Sequence, residues 1–221
     1  MKKEVFDHYQ SIADRFMELS NKYCDNRYLL EIRKYIGKTD SILDVGCGSG
    51  LLLSRLAARR RVGIDLSSGL LKQLRNKGQN KGIGLVQADA ENLPFKAGAF
   101  EVVYSVNLLE HVPHPERVVS EGIRVLKKGG KLILITPNGD VGLFLEIADR
   151  LKLKAPEGPH HFLGSRKMRR LVPNGRAGVR LVSHRKFVLV PKGPKVILDF
   201  FERLEPMIPL GFFHLVVLEK T

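Results

Sequence analysis

From residue 41 to residue 137 the chain alternates between short apolar runs and segments with helical periodicity. The apolar runs predict five strands, at 41–45, 61–65, 85–88, 100–106 and 131–136. The segments between them predict helices, at 51–60, 67–78 and 115–128. Several of the strands are apolar throughout, which is typical of a parallel sheet that is covered by helices on both faces.

The regions on either side of this core show a weaker pattern. Residues 5–36 predict one or two amphipathic helices, with Phe6, Tyr9 and Phe16 at helical spacing. Beyond Pro137 we expect three more helices and two more strands, at 141–151, 165–172, 195–204, 179–190 and 212–218. The chain then divides into a helical cap, a core, a lid and completing strands within one domain, at 1–40, 41–137, 138–175 and 176–221.

Length and composition are those of one compact protein unit. The 221 residues, 43% of them hydrophobic, suffice for a single sizeable core. No apolar run approaches the roughly 20 residues that span a bilayer, and the first ten residues lack the apolar stretch of a signal peptide. Cys24 and Cys47 suggest no disulfide framework. We therefore expect a cytoplasmic protein.

The positive charge is concentrated in one segment. The net charge is +14, and residues 150–195 hold thirteen Lys or Arg against the single acid Glu157, a local net of +12. Such a segment fits an anionic partner, RNA or a membrane surface, or an acidic substrate. It fits a solvated surface equally well.

The run Ile-Leu-Asp-Val-Gly-Cys-Gly-Ser-Gly at 42–50 is the strongest motif. Gly46, Gly48 and Gly50 allow a strand to turn sharply into a helix while a ligand lies against the backbone. Asp44, at the strand end, can accept a hydrogen bond from an ammonium group. Dinucleotide-binding folds use a similar turn, but position 51 is leucine where their third glycine belongs, which disfavours an NAD-dependent oxidoreductase.

The motif D-V-G-C-G-S-G resembles motif I of the class I S-adenosylmethionine-dependent methyltransferases, and further family motifs follow in order over residues 41–135. The resemblance implies a Rossmann-like α/β fold, a doubly wound, seven-stranded and mostly parallel sheet with helices on both faces and a small helical lid. It also implies S-adenosylmethionine as cofactor. The implied contacts are Asp65 and Leu66 at the ribose, Asp89 and Ala90 at the adenine, and Ser105 and Asn107 near the methionine moiety and the methyl group.

A general base helps methyl transfer only if the acceptor must lose a proton, and histidine is the usual choice. His111 stands at the cofactor-facing end of the fourth strand and is the first candidate. His160 and His161 lie in the predicted lid, and we take His161 as the second candidate. At least one of that pair is expected only to pack on Phe162.

The segment L-L-E-H-V-P-H-P resembles the branch that includes ubiquinone and menaquinone biosynthesis enzymes. The O-methylating members of that branch link E-x-x-E-H to a divalent metal, whereas Asn107 stands here where the first glutamate would be. We therefore predict no metal. Glu110 and His111 have an alternative role, as a helix-start cap and a packed histidine.

The sequence leaves more than one class of molecule as the methyl acceptor. A small molecule, such as a quinone, a phenol or a lipid-like compound, is the preferred substrate. Methylation of RNA or protein docked on residues 150–195 is an alternative, as is a non-catalytic protein that keeps the cofactor fold. Residues 105–108 lack the N/D-P-P-Y motif of enzymes that methylate base amino groups. The oligomeric state is not predicted.

Overall fold

A computed structural model describes residues 2–14, 16, 22–76, 82–142, 160–172, 178–187 and 211–221. The strands are β1 (Ser41–Val45), β2 (Arg60–Asp65), β3 (Ile83–Gln87), β4 (Phe100–Val106), β5 (Leu126–Pro137), β6 (Val179–Phe187) and β7 (Phe213–Lys220). The helices are α1 (Lys2–Ser11), α2 (Lys22–Arg33), α3 (Leu51–Ser54), α4 (Ser68–Asn76), α5 (Pro115–Val125) and α6 (Ser165–Leu171). Short 3₁₀ turns occupy Leu109–His111 and Gly139–Val141.

The seven strands form one sheet in the order β3-β2-β1-β4-β5-β7-β6. The first five are parallel, while β7 runs antiparallel to both β5 and β6. This confirms the predicted seven-stranded, mostly parallel sheet. The strand order reverses between β1 and β4, and the carboxyl ends of strands at such a point enclose a crevice that binds ligands.

Both faces of the sheet are covered. On one face Val118 of α5 and Met168 of α6 pack against strand residues such as Leu134. On the other, Leu29 and Ile32 of α2 join a second apolar cluster. All five residues of β1 are buried because this strand lies near the centre of the sheet with helices on either side.

Two predicted helices end earlier than expected. The helix predicted to reach Arg60 ends at Ser54, because Arg60 already begins β2 and pairs with Ser41. The helix that starts at Pro115 ends at Val125, because Leu126 enters the sheet opposite Phe100. In the second case backbone pairing within the sheet takes over residues 126–128, which the sequence predicts as helix.

Parts of the predicted organisation fall beyond the described structure. The helix predicted at 195–204 lies outside the described residues, as do residues 143–151 of the helix predicted at 141–151 and much of the predicted lid. The division into cap, core, lid and completing strands therefore stays a prediction. Among the described helices, none has the length and apolar character needed to cross a membrane.

Candidate active site

A cavity of about 290 Å³ opens beyond the carboxyl ends of β1, β2 and β4, where the strand order reverses. It is lined by most of the residues that the sequence predicts for the cofactor, together with the first candidate base. These are Asp44, Gly46, Gly48, Asp65, Leu66, Asp89, Ala90, Asn107 and His111. The topology thus brings one cluster together from positions up to 67 residues apart (44 to 111).

The turn after β1 is fixed by its backbone. The N–H groups of Gly46 and Cys47 both donate to the carbonyl of Ile64, at 2.9 and 2.8 Å. Gly46, Gly48 and Gly50 all have positive φ values, of 79°, 47° and 66°, which side chains with a Cβ rarely adopt. The glycine spacing of the motif is therefore a backbone requirement of this turn.

Asp65 closes the turn from the end of β2. Its Oδ2 accepts from the N–H of Gly48 at 2.9 Å and its Oδ1 accepts from the N–H of Ser67 at 2.9 Å. Burial raises the pKa of Asp65, and backbone donors at Ser67, Gly48 and Leu66 work against that rise. A carboxylate oxygen has more than one lone pair, so both oxygens can still accept from the hydroxyls of a ribose.

Asp44 lies deeper, at the end of β1, and is only 3% exposed. Tyr104 of the neighbouring strand β4 donates its hydroxyl hydrogen to Asp44 Oδ2 at 2.7 Å. Burial raises the pKa of Asp44 to about 7, the hydrogen bond from Tyr104 opposes the rise, and the charge of Asp65 adds to it. The carboxyl group thus changes charge near neutral pH.

Asp89 follows β3 and has a partner that the sequence did not suggest. The ammonium of Lys2, on α1, donates to Asp89 Oδ2 at 2.6 Å and to Glu91 Oε2 at 3.0 Å. The side chain of Asp89 is 35% exposed, and its Oδ1 accepts from the N–H of Glu91 at 3.0 Å. An adenine amino group would have to share an oxygen of Asp89 either with Lys2 or with the N–H of Glu91.

Asn107 has an unusual backbone at the end of β4. Its φ of 51° lies in the left-handed region, which few residues other than glycine occupy without cause. Its Nδ2 donates to the hydroxyl of Tyr28 at 3.1 Å, while its Oδ1 is buried and has no hydrogen-bond partner within the described structure. Since a buried acceptor without a donor is costly, Oδ1 suits a donor on a bound ligand.

His111 ends the 3₁₀ turn after β4 and is 4% exposed. Its Nε2 lies 3.2 Å from the hydroxyl oxygen of Tyr9 and 4.0 Å from Glu110 Oε1. The ring of His160 approaches edge-on, at 6.1 Å between centroids. Glu110 is buried and accepts from the hydroxyl of Thr136 at 2.8 Å.

Three predicted site residues do not line the cavity. The hydroxyl of Ser105 donates to the carbonyl of Val45 at 2.9 Å, which joins β4 to β1 beneath the site. His161 is exposed, and its backbone N–H donates to the carbonyl of Glu110, so that its neighbour His160 is the one beside His111. Gly50 lies behind the turn, where a Cβ would meet Leu74.

Sequence reasoning missed the contribution of α1. Lys2 and Tyr9 line the cavity from this helix, and Tyr28 lines it from α2. The apolar spacing of the first sixteen residues predicted a helix there, and nothing in the motif order showed which part of the sheet it would cover.

Cys47 has a structural role in the site, and the described residues also show whether metal ligands are grouped there. Burial raises the pKa of the Cys47 thiol well above its usual value, and the side chain fills the space beside Gly63. Among the described residues, no group of three or more His, Cys, Asp or Glu side chains is placed to hold a metal ion.

The comparisons with known proteins agree with this geometry. A family model described as a methyltransferase domain matches residues 43–134. A ubiquinone biosynthesis O-methyltransferase from Xanthomonas axonopodis pv. citri is 32% identical over 176 residues, covering 70% of this chain and 73% of that protein. The enzyme of the same description from Xanthomonas oryzae pv. oryzae is 36% identical over 176 residues, with the same coverage of 70% and 73%.

This chain belongs to the class I S-adenosylmethionine-dependent methyltransferases. A solved structure of such an enzyme from Thermotoga maritima, described as a possible histamine N-methyltransferase, shares the fold, with a TM-score of 0.73, 20% identity and coverage of 100% of both chains. The resemblance to the small-molecule branch is confirmed, and the comparisons do not favour the non-catalytic alternative. The comparisons do not favour RNA or protein as the acceptor.

S-adenosylmethionine is the cofactor of this methyltransferase. The cavity fits it on observations that are independent of the family. Asn107 Oδ1 offers a buried acceptor without a partner among the described residues, and Asp65 offers two oxygens at the rim. At Gly48 a Cβ would lie 3.1 Å from the ring of Phe16, so that glycine keeps this side of the cavity open.

Proposed function

We propose that this methyltransferase transfers a methyl group to a hydroxyl oxygen on a small aromatic molecule of the phenol or quinol class. The observation that supports this most strongly is His111, a buried imidazole whose Nε2 faces the cavity beside Tyr9. A phenolic hydroxyl must lose its proton to become a good nucleophile, and a histidine has a suitable pKa range for that task. The related Xanthomonas proteins are O-methyltransferases by description.

The lining of the cavity also favours an aromatic acceptor. Phe6, Tyr9, Phe16 and Tyr28 contribute rings to its walls. Aromatic rings prefer edge-to-face or offset contacts with other rings, so that these walls suit a flat, apolar molecule better than a charged one. Leu108, after β4, adds apolar surface near His111.

We assign the cofactor contacts to the acidic groups at the strand ends. Asp65 would accept from the ribose hydroxyls, Asp89 from the adenine amino group, and Asp44 together with Asn107 Oδ1 from the methionine ammonium. When bound, S-adenosylmethionine supplies a methyl group that its positively charged sulfur already activates. The chain's own contribution is to hold the acceptor in line and to exclude water, an effect of position that is worth ~7–11 kcal/mol.

In this proposal His111 Nε2 takes the proton of the acceptor hydroxyl, and the oxygen lone pair that remains forms the new bond to carbon. Glu110 lies 4.0 Å from the same nitrogen and would stabilise the imidazolium that results. Glu110 is itself fixed by Thr136. The catalytic role of His161 from the sequence is not part of this proposal, because its side chain is exposed.

Turnover of catechol and of 3,4-dihydroxybenzoate, measured as S-adenosylhomocysteine formed, tests the proposal. We expect His111→Ala to lower kcat by roughly 100-fold or more, since a general base contributes ~10²–10⁴-fold, with unchanged affinity for S-adenosylhomocysteine. His114→Ala is the matched control, because His114 is exposed and pairs with Glu116. Normal turnover in the His111 variant, or turnover of histamine but of neither phenol, would refute O-methylation by this base.

The described part of the basic segment 150–195 suggests a class of binding partner. Arg166, Lys167, Arg169 and Arg170 are exposed on α6, and they support an anionic surface as a binding partner. We propose that such binding, to RNA or to a membrane, is separate from catalysis. Turnover of a small phenol should then hardly change with ionic strength, whereas contacts to phosphates weaken steeply with salt.

We also propose a cytoplasmic location. Cys24 and Cys47 are not joined in a disulfide, and burial raises the pKa of both thiols. Thiols with a raised pKa are less reactive, which is compatible with a reducing compartment. Fractionation of cells that express the chain, with soluble and membrane markers, tests this location.

A further inference from the structure

Helix α1 lines the cavity and is joined to the body of the protein by side-chain hydrogen bonds at both of its ends. Lys2, Val5, Phe6 and Tyr9 line the cavity, yet no residue of this helix is buried. A helix without buried apolar residues gains little from the hydrophobic effect. Its side-chain hydrogen bonds to the body of the protein therefore add to the contacts of its half-buried apolar residues in setting its position.

These hydrogen bonds end on groups that surround the cofactor contacts. Lys2 donates to Asp89 at one end of the helix. At the other end Gln10 Oε1 accepts from the hydroxyl of Ser67, at 3.0 Å, and from the N–H of Gly69, at 3.1 Å. Ser67 in turn follows Asp65 and donates its N–H to it. Helix α1 is therefore bound at one end to Asp89, on the proposed adenine side of the site, and at the other to Ser67 and Gly69, beside the proposed ribose contact.

Between these two ends, Tyr9 reaches the candidate base. Its hydroxyl oxygen lies 3.2 Å from His111 Nε2, and the two rings meet edge-on at 5.6 Å and 81°. The ring of Tyr9 also rests edge-on against Phe16, at 5.7 Å, which limits its rotation. A tyrosine hydroxyl can donate to a neutral imidazole nitrogen or accept from its N–H, and only the first arrangement leaves the lone pair on Nε2.

Two described neighbours of His111, Glu110 and His160, contact its ring without a hydrogen bond to Nε2 at the distances observed. Glu110 Oε1 is 4.0 Å away, beyond hydrogen-bond distance, and His160 approaches through a ring edge. His8, on α1, is close enough that His111 adds to the lowering of its pKa, after the larger effect of burial. Tyr9 is therefore the polar group that lies within hydrogen-bond range of Nε2 among these neighbours.

We propose that Tyr9 is a positioning residue for His111, and that it prepares this base only while α1 is seated over the cavity. The inference rests on the proposed role of His111 as the base. The hydroxyl of Tyr9 donates to Nε2 and keeps the proton of the neutral ring on Nδ1. When an acceptor arrives, its hydroxyl replaces that of Tyr9 at a nitrogen that is already oriented and unprotonated.

The variant Tyr9→Phe tests this, since it keeps the ring contacts with Phe16 and His111 and removes only the oxygen. Tyr35→Phe is the matched control: it removes a tyrosine hydroxyl that donates to Ser183 at 3.2 Å, outside the residues that line the cavity. Nitrogen NMR of ¹⁵N-histidine-labelled protein, with S-adenosylhomocysteine bound, reports the tautomer of His111 directly. The resonance is assigned with His111→Ala.

We expect Tyr9→Phe to raise the share of the Nε2–H tautomer of His111 and to lower kcat roughly 10-fold or more, because misplaced catalytic groups cost up to ~10²-fold. The KM for 3,4-dihydroxybenzoate and the affinity for S-adenosylhomocysteine should change less than about twofold, within the range of additive surface effects. Tyr35→Phe should match the wild type in every one of these measurements.

A double-mutant cycle separates the two proposals. If Tyr9 acts through His111, adding Tyr9→Phe to His111→Ala should cause no further loss of turnover. An unchanged tautomer ratio in Tyr9→Phe would overturn the role of Tyr9 and leave that of His111 intact. The same holds if the double variant loses turnover by the product of the two single losses. Normal turnover in His111→Ala would instead overturn the base itself, whatever the NMR spectra show.

Discussion

Tyr104 and Asp44 face each other across the pairing of β4 with β1, and the tyrosine hydroxyl donates to the carboxylate at 2.7 Å. Both side chains are buried. Burial alone would favour a neutral carboxyl group, and Tyr104 offsets part of that tendency, so that the pKa of Asp44 comes to about 7. The free protein thus holds a group at the cofactor site that loses its proton near neutral pH.

The contribution of Asp44 to the stability of the protein without cofactor should therefore fall as pH rises toward 7. The folded-state pKa of Asp44 lies above its unfolded value of 3.8, so that the folded state binds more protons between these two values. Asp44→Asn removes the ionisable group. We expect the variant to match the wild type near pH 4 and to be more stable at pH 8, by on the order of a few kcal/mol, in denaturant titrations.

Asp140 provides a control of opposite sign. Hydrogen bonds from Ser165 and Lys186 hold its pKa at about 2, with the Ser165 hydroxyl contributing most. Its ionised form therefore stabilises the folded protein above the unfolded pKa, and that contribution disappears as pH falls toward 2. Asp140→Asn should be less stable than the wild type at pH 7 and approach it in acid. Parallel pH profiles for both variants would contradict the two assignments.

Cofactor affinity should also depend on the ionisation of Asp44, and it should rise with pH as this carboxyl group loses its proton. If the ionised carboxylate accepts from the cofactor's ammonium, affinity must fall as pH drops below about 7. Tyr104→Phe removes the hydrogen bond that favours the ionised form, so we expect the midpoint of this loss to move to higher pH. Calorimetric titration with S-adenosylhomocysteine from pH 6 to pH 9 measures it, and an unchanged midpoint would contradict the assignment.

Asp65→Ala should weaken cofactor binding far more than it destabilises the fold. Two hydrogen bonds that ribose hydroxyls donate to a carboxylate are together worth roughly 3 kcal/mol or more, which corresponds to about a 100-fold loss of affinity. The variant also frees the N–H groups of Gly48 and Ser67, so its melting temperature should drop as well. Asp40→Asn, away from the cavity, serves as control. Unchanged affinity in Asp65→Ala would exclude the ribose contact.

The core of the fold could be predicted because its signals are local. Strands at 41–45 and 100–106 were found with their observed limits, since a buried parallel strand is a continuous apolar run. The strand ends then placed Asp44, Asp65 and Asp89 on one edge of the sheet, and the cavity contains all three. Family motifs identified the cofactor from the same residues.

The remainder of the site depended on contacts between distant parts of the chain. No local pattern shows that Lys2 reaches Asp89, 87 residues away, or that Tyr9 reaches His111, 102 residues away. Ser105 was expected near the methyl group, and its hydroxyl instead joins two strands, because successive side chains of β4 point to opposite faces. Side-chain direction at a strand end is decided by register, which the sequence alone does not give.

Two glycines with positive φ, Gly50 and Gly98, allow the cost of a left-handed backbone to be separated from the cost of a steric clash of the added Cβ. Gly50 has a φ of 66°, and a Cβ there would lie 2.5 Å from Leu74, which is buried in the cluster beside β3. Gly98 has a similar φ of 70°, with no atom within 4 Å of the same Cβ. Both alanine variants must therefore adopt a left-handed backbone, at a cost of roughly 1–2 kcal/mol, whereas only Gly50→Ala must also displace a packed leucine.

We expect Gly50→Ala to lose about 1–3 kcal/mol more stability than Gly98→Ala, the usual cost of overpacking a core, in urea titrations. Since Leu74 belongs to α4, which follows Asp65 and Ser67, its displacement should also weaken the binding of S-adenosylhomocysteine. Shortening the leucine tests the cause: Leu74→Ala should restore part of the stability of Gly50→Ala, although it destabilises the wild type. Equal losses in both glycine variants would show that backbone strain alone maintains glycine at position 50.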